Sequence, residues 1–449
     1  MKYLSSFFLF TCISLTAFTQ EESPAFKYRR SSLSMVLLES SAFPQQDAVL
    51  NSWKNYPFPD KYNKHDVGIP SVNIENVLLT DEEYRAAGYL DTLKKMGDIL
   101  KATANWNGLR YNADSTVILR LPNEKAEYQL RIDKIIRDQQ LAKKCVSSWF
   151  NRGADGKLNF DLVASRGMYS ASEMDKAVAS NSSVGMSAIA DAGIELLNNT
   201  FVTFTKMDFV ENEPVVRAVR DDAIAEIMKN VTIPIAQQKA IELANKAYEK
   251  AKEGYSLWSK TWLYQLNWND SIQNVMFQQL WSDPKAYESS DIFSLKFVGV
   301  QYNTSLVTFS LKETRTQEQI INLALVRNVD KAFAELQKEN DVFKPKVPVL
   351  TTDPITAQIG MKEGIEGGEK FDVFEMTMNP KTGLTEYKNV GQATADKKLV
   401  WDNRYNDGQG TVVEGKEGAE AAEPAPTLTA TTFKGSKKVQ PGMLLKQIK

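Results

Sequence analysis

The chain has 449 residues, of which 43% are hydrophobic and 24% are charged, and its formal net charge at pH 7 is −2. This composition is typical of a globular protein that is long enough for two or three domains. The nearly neutral charge provides no basic surface field to attract a polyanion. We therefore predict that the protein does not bind nucleic acid.

The first twenty residues predict a secretory signal peptide. Lys2 supplies a positive start, residues 4–15 form an apolar run too short to span a bilayer, and Ala17 is a small residue near the expected cleavage point. No later segment has the roughly 18 to 20 uninterrupted apolar residues of a transmembrane helix. We expect an exported protein without a transmembrane helix after cleavage, in the periplasm or at the outer membrane or cell surface of a Gram-negative bacterium.

Cysteine and histidine are too scarce for the common metal and nucleophile sites. Cys12 lies in the signal peptide, which leaves Cys145, and helical spacing predicts that this thiol is buried. The single histidine, His65, is expected in a solvated loop. Zinc sites usually need His and Cys ligands, and triads need a base such as His. We therefore predict no metal site, no cofactor and no catalytic residue.

Apolar spacing and capping residues predict alternating strands and helices in the first half of the chain. The predicted elements are a strand at 31–38, a helix from the Thr80 capping box to 103, a helix at 126–150, a strand at 158–163, a helix of small residues at 170–193 and a strand at 201–209.

The next region continues this alternation. A helical stretch at 214–254 is interrupted at Pro234, two strands at 292–300 and 305–311 are joined by a turn, and a helix begins at Thr316. The order of these predicted strands and helices indicates an α+β domain over residues 21–343. In this domain, amphipathic helices are expected to pack on antiparallel strands. A division into two subdomains is expected near 212–256.

Four tryptophans lie close together in the sequence and form the candidate ligand-binding set. Indole rings stack on sugars, but they also fill cores in which their N–H groups find partners. The helical offset of the first two favours a core position, and a glycan site remains the alternative. A glycan hydrolase would need two carboxylates, for which Asp270 and Asp283 are the nearest candidates. The four residues are Trp258, Trp262, Trp268 and Trp281.

The C-terminal region has a different composition. Its prolines predict a linker at 344–354, and residues 355–449 predict a small β domain with a flexible Gly-, Glu-, Ala- and Pro-rich insertion at 407–427. Short strands are expected at 355–359, 370–376, 385–390, 398–402 and 443–448.

Glycine spacing in this region resembles that of a known family. The stretch 359–374 (IGMKEGIEGGEKFDVF), the pair Val390-Gly391 and the turn Pro441-Gly442-Met443 resemble the small SH3-like barrels at the C-termini of bacterial envelope assembly proteins such as the flagellar assembly protein T family. The resemblance implies an SH3-like β-barrel and a role in assembly. Independently, the glycines at 364, 367 and 368 predict tight turns with positive φ.

Together these features predict a non-catalytic, secreted cell-envelope protein that acts as a structural or assembly component. Its expected partners are other envelope proteins or a surface polymer. One alternative is a glycan-binding or glycan-processing protein that uses the tryptophan cluster. A second alternative is a subunit of an outer-membrane-associated homo-oligomer, with the strands at 201–209 and 305–311 as staves of a shared barrel.

Overall fold

A computed structural model of the protein describes residues 28–91, 108–111, 118–121, 123–170, 193–308, 316–379, 385–405 and 428–448. These residues form a mixed α/β body and a closed C-terminal barrel of antiparallel strands. The predicted α+β class with a small terminal barrel is thereby confirmed. The predicted signal peptide, most of the predicted small-residue helix and the predicted insertion lie outside the described residues.

The centre of the body is a mixed sheet with the strand order β2-β1-β7-β8-β9, in which β3 also pairs with β1. β1 is parallel to β2, β3 and β7, whereas β7, β8 and β9 form an antiparallel meander. The strands are β1 (Ser32–Glu39), β2 (Asn63–Lys64), β3 (Ser71–Asn73), β7 (Thr200–Glu211), β8 (Gly254–Leu266) and β9 (Leu295–Thr308). A smaller sheet contains β4 (Leu90–Asp91), β5 (Gly108–Tyr111) and β6 (Ile118–Leu121).

Helices cover both faces of the main sheet because its strands alternate apolar residues between the two faces. One face packs on α3, α4 and the segment after β8, with Trp262 at the centre, and the other packs on α1 and α10. The helices are α1 (Gln46–Lys54), α2 (Asp81–Ala86), α3 (Glu124–Asp138), α4 (Leu141–Trp149), α5 (Asp161–Ser170), α6 (Asn212–Asn230), α7 (Pro234–Ala251), α8 (Asp270–Val275), α9 (Pro284–Ser289) and α10 (Gln317–Glu339), and residues 193–198 and Met276–Leu280 are also helical.

The C-terminal barrel closes in the order β10-β11-β14-β13-β12-β15 and is compatible with a small SH3-like barrel. Its interior holds Val347, Phe371 and Phe433, and the rings of the two phenylalanines meet edge to face at 5.1 Å. The strands are β10 (Val347–Thr352), β11 (Ile355–Ala357), β12 (Lys370–Met378), β13 (Thr385–Ala395), β14 (Thr431–Gly435) and β15 (Leu444–Gln447).

Several predicted elements are confirmed and two are wrong in the first half. The capping box at Thr80 is present, but helix α2 ends at Ala86 because Gly88 follows with φ +80, and residues 90–91 form strand β4. The strand predicted at 158–163 is absent. There the Asn159 side chain accepts a hydrogen bond from the Asp161 amide, and helix α5 begins instead.

The two strands predicted at 292–300 and 305–311 are one continuous strand, β9, which ends at Thr308 in the described residues. Residues 301–304, which were expected to turn, are extended and pair with β8. None of them is a glycine, and none adopts positive φ. A register shift between Leu263 and Tyr264 is the one irregularity of this pair within the described strands, and residues 301–304 lie outside it in regular pairing with 258–261.

The segment predicted as a linker, 344–354, contains β10. Val347 and Val349 of this strand point into the barrel, so the prolines there accompany a barrel strand. Residues 398–402 were predicted to form a strand, but in this region only Trp401 forms an isolated bridge, to Gly360.

Candidate functional site

The structure places the four candidate tryptophans in different environments. Trp262 is fully buried beneath Tyr128, and Trp268 is buried against Phe293. Trp281 is half-buried, and its ring stacks on Phe160 at 4.3 Å. Only Trp258 among the four exposes most of its side chain, at 57%. The fold therefore does not gather the four into one surface, and ligand binding by the set stays a prediction.

Trp258 lies on an exposed part of the main sheet, near a second aromatic residue. It pairs with Thr304 of β9, and the neighbouring Lys260 pairs with Tyr302, whose side chain is 49% exposed. Side chains two residues apart on a strand share a face. Trp258 and Tyr302 therefore lie on the same face of adjacent strands, with Lys260 beside them.

Salt bridges fix the charged side chains on this face. Glu124, at the start of α3, contacts Lys260 at 2.6 Å and Lys206 at 3.5 Å. Partial burial opposes ionisation of Glu124, but the hydrogen bond and positive charge of Lys260 together with Lys206 hold its pKa below the ordinary value. The two lysines also lie near aromatic rings, since Lys260 Nζ is 5.7 Å from the centre of the Tyr302 ring.

A groove of about 600 Å³ follows β8 and β9 at this position. Its walls include the consecutive β9 residues 301–304, with Glu124 and Lys260 from one face of the sheet and Lys331 and Glu335 of α10 from the other. Residues from both faces line one cavity, so the groove reaches around the edge of β9. Within the described part of the chain, β9 pairs only with β8, and that edge is free.

The floor of the groove contains two buried polar atoms without hydrogen-bond partners. Ser259 Oγ and Asn303 Nδ2 belong to side chains that are 3% and 4% exposed, and they sit opposite each other in the β8–β9 register. Leaving such atoms unpaired costs on the order of 1–3 kcal/mol each. Nearby, Lys331 Nζ donates a hydrogen bond to the Thr304 carbonyl oxygen at 3.2 Å. Ser259 Oγ and Asn303 Nδ2 are almost fully shielded from solvent, so they are unsatisfied polar atoms beneath the groove surface.

The chemistry of the groove suits binding of an extended chain. In an antiparallel pair, alternate residues of an edge strand direct their N–H and C=O groups away from the partner strand. A partner peptide can pair with these groups, while its side chains alternate between the two faces. Here those faces would be the Trp258 and Tyr302 surface and the polar surface beneath α10.

A second cavity, of about 430 Å³, lies beside β1 and β2, at the opposite edge of the sheet from β9. It is bordered by Trp53, Tyr56 and His65. The prediction that His65 is a solvated loop residue is wrong, because its side chain is 1% exposed. His65 stacks on Trp149 at 4.9 Å, and its Nε2 lies 2.9 Å from the Cys145 carbonyl oxygen. These contacts assign the imidazole a structural role.

Cys145 is fully buried, as predicted from its helical position. Burial raises the pKa of its thiol to about 12, which keeps the sulfur protonated and unreactive at neutral pH. Asp283, one of the two carboxylates considered for hydrolysis, caps α9 by accepting hydrogen bonds from the amides of Lys285 and Ala286. Across the described stretches, no group of three or more His, Cys, Asp or Glu side chains could hold a metal ion.

Sequence reasoning missed Tyr302 and the groove. Residues 301–304 looked like a turn, so their side chains were not considered as part of a surface. The useful signal was the length of the combined apolar stretch from 292 to 311, which can form one long strand as readily as two short ones. Because β8 and β9 are separated by a long stretch of sequence, local spacing could not predict that Trp258 pairs with Thr304.

No protein-family model matches the chain, and no curated protein matches it in sequence. None of the helices in the described ranges is long and apolar enough to cross a membrane.

Proposed function

We propose that the protein is a non-catalytic assembly component of the cell envelope that binds protein partners. The observation that carries this proposal is the groove at the edge of β9, which combines exposed aromatic side chains with a strand that pairs with no strand but β8 among the described residues. Edge strands of this kind pair readily with an extended segment of another chain.

Two further features support an envelope location and an assembly role. The first twenty residues resemble a signal peptide, which directs export. The closed terminal barrel is compatible with a small SH3-like barrel, and its glycine spacing resembles that of the flagellar assembly protein T family, a resemblance that implies an assembly role. We therefore propose a periplasmic or outer-membrane-associated location.

Photocrosslinking in living cells tests the groove. A photoreactive phenylalanine analogue placed at Tyr302 is expected to give a discrete protein adduct, because that side chain borders the proposed partner strand. The matched control places the same analogue at Leu78, which is 71% exposed and lies outside the groove. Adducts are identified by mass spectrometry.

Absence of an adduct at Tyr302, or the same set of adducts at Leu78, would contradict a specific partner at the groove. A self-adduct at Tyr302 would identify the partner as a second copy of the chain, in agreement with the homo-oligomer alternative.

The exposed pair Trp258 and Tyr302 also supports a second candidate function, glycan binding. An aromatic surface beside Lys260 and Glu124 can stack on a sugar ring and hydrogen-bond its hydroxyl groups. If the protein binds peptidoglycan or lipopolysaccharide oligosaccharides in calorimetry, Trp258→Ala should reduce the affinity about tenfold or more, since loss of a large buried apolar contact costs about 1.5–3 kcal/mol. Unchanged affinity in Trp258→Ala would remove this candidate.

A further inference from the structure

The second cavity, beside β1, coincides with a gap in the main sheet. β2 pairs with the beginning of β1, and β3 pairs with its end, along the same edge. On the β2 side, the last hydrogen bond joins the His65 amide to the Leu33 carbonyl oxygen at 2.9 Å. On the β3 side, the first joins the Leu37 amide to the Pro70 carbonyl oxygen at 3.0 Å. Met35 lies between these two bonds, where neither strand covers β1.

The backbone of Met35 has unused hydrogen-bonding groups in this gap. Alternate residues of a strand direct their N–H and C=O groups toward the same neighbouring strand. Leu33 and Leu37 direct theirs toward β2 and β3, so Met35 faces the same way. Among the described residues, no group forms a hydrogen bond with the Met35 amide or carbonyl on that side. The gap therefore presents one donor and one acceptor to the cavity.

The chain between β2 and β3 leaves this edge uncovered because it packs elsewhere. Val67 is 3% exposed and belongs to the core on the opposite face of the sheet, against α3 and α4. Ser148 of α4 donates a hydrogen bond to the Asp66 carbonyl oxygen at 2.9 Å, and Trp53 Nε1 donates one to the Pro70 carbonyl oxygen at 3.0 Å. Both ends of the connecting loop are anchored, so the gap is built into the fold.

The cavity has apolar and aromatic walls on the α1 face of the sheet. Leu50 and Trp53 of α1, followed by Tyr56 and Phe58, line it across from Met35. The Trp53 and Tyr56 rings are stacked, with their centres 6.5 Å apart. A cavity of about 430 Å³ with apolar walls and a few polar groups is typical of a site for a small organic molecule.

Two lysines lie at the cavity without an acidic partner. Lys64 pairs with Leu33 in the β1–β2 register, so its side chain lies on the cavity face, and Lys54 ends α1 at the same cavity. Both side chains are exposed, and neither forms an ion pair with an acidic side chain of the described residues. Their ammonium groups are thus available to a ligand.

The full set of charges around the cavity is positive by one. Seven charged side chains line it or form hydrogen bonds or ring contacts with its lining residues, four of them basic and three acidic: Lys54, Lys64, Arg166, Lys362, Glu39, Asp66 and Asp330. The acidic groups have partners of their own, since Asp66 accepts a hydrogen bond from the Gly68 amide at 2.7 Å and Asp330 pairs with Lys362. The cavity therefore favours a ligand with an apolar body and one negative charge.

We propose that the gap at Met35 binds the C-terminal residue of a short apolar peptide. A residue antiparallel to Met35 exchanges both backbone hydrogen bonds with it and places its side chain on the same face, which here is the cavity under α1. A peptide in this direction ends toward β2, where Lys64 binds the terminal carboxylate. The gap accepts a single pairing residue, because β2 and β3 occupy the edge on either side. This site goes beyond the proposed β9 partner site and lies at the opposite edge of the sheet.

Isothermal titration calorimetry of the purified chain with N-acetyl-alanyl-phenylalanine tests the proposal. We expect the free acid to bind about tenfold more tightly than its C-terminal amide, which lacks the charge that pairs with Lys64. The analogue methylated at the phenylalanine nitrogen should bind about fivefold more weakly than the parent, because it cannot donate a hydrogen bond to the Met35 carbonyl.

Lys64→Gln should remove the preference for the acid over the amide without weakening binding of the amide. The control is Lys296→Gln, the same change at an exposed residue of β9, which should keep the preference. Thermal unfolding should confirm that both variants are folded. Absence of binding, equal affinity of the acid and the amide, or equal affinity of the methylated peptide would overturn the proposal. A preference that persists in Lys64→Gln, or is lost equally in both variants, would overturn it as well.

Discussion

Two buried ionisable residues respond to pH in opposite directions. His65 is enclosed by Trp149 and Arg166, and Asp330 is enclosed by Tyr56 and Lys362. Each side chain is largely removed from water, which favours its neutral form. Burial therefore lowers the pKa of the base and raises the pKa of the acid.

Replacing His65 should make the protein lose less stability when the pH becomes acidic. Burial and then the charge of Arg166 lower the pKa of His65 to about 4, below the value of about 6.5 in the unfolded chain. The unfolded chain thus takes up the proton first, and stability is lost as pH falls from 7 to 5, by about 2 kcal/mol for this group. His65→Gln, which can keep both hydrogen bonds, should reduce that pH dependence by about the same amount in urea unfolding at the two pH values. Equal pH dependence in the variant would show that His65 is accessible to protons.

Asp330 should change the free energy of unfolding in the opposite direction over a similar pH range. Burial raises the pKa of Asp330 to about 6, although Lys362 at 3.6 Å and the Tyr56 hydroxyl at 2.5 Å oppose the shift, and Glu363 adds to it. The folded state then binds the proton first, so this group gains stability as pH falls from 7.5 to 5, by about 1 kcal/mol. Asp330→Asn should abolish that gain. A variant that retains it in urea unfolding would place the titrating group elsewhere.

At the scale of single elements, local signals predicted where helices begin better than where elements end. The capping boxes at Thr80 and Thr316 are both present because they depend on side chains only three residues apart. The end of α2 and the continuity of β9 depend on Gly88 and on pairing with β8, respectively. The spacing of apolar residues within a segment does not predict which distant segment that segment pairs with. The groove was missed for that reason.

The glycine-rich turn before β12 follows the sequence prediction closely. Gly364, Gly367 and Gly368 all adopt positive φ, at 76°, 103° and 103°. Gly367 is the most constrained, because a Cβ atom there would lie 2.5 Å from the Lys397 Cα atom. The turn therefore needs glycine at this position for both conformation and space.

Gly367→Ala should destabilise the barrel by about 3 kcal/mol, because backbone strain and steric overlap add. Gly442→Ala is the matched control, since Gly442 lies in the barrel at φ +85 but has no atom within 4 Å of an added Cβ. We expect the control to cost only about 1 kcal/mol. Urea unfolding followed by fluorescence measures both, and equal costs would show that the backbone at Lys397 moves aside.

At the scale of the whole molecule, the body and the barrel share partly buried polar contacts. Glu195, in the helical segment before β7, forms ion pairs with Arg30 at 3.4 Å and Lys346 at 3.1 Å and accepts a hydrogen bond from Tyr387 of the barrel at 2.6 Å. The Tyr28 and Tyr387 hydroxyl groups are 2.7 Å apart. The sequence predicted a small terminal β domain but gave no sign of this contact, which joins residues far apart in the chain.

These contacts predict that the barrel and the body unfold together. Burial lowers the pKa of Lys346, and Glu195 opposes that shift, so removing the carboxylate takes away a negative charge that stabilises two largely buried cations. Glu195→Gln should therefore destabilise the protein by about 2–4 kcal/mol. In hydrogen exchange measured by mass spectrometry, the unaltered protein should expose slow amides of β12 and β7 at the same denaturant concentration, whereas in the variant β12 should exchange first.

The control is Lys434→Gln, which removes a salt bridge to Asp396 on the barrel surface and should leave the two regions coupled. Separate transitions in the unaltered protein would instead mean that the barrel is an independent folding unit and that the network around Glu195 only orients it against the body.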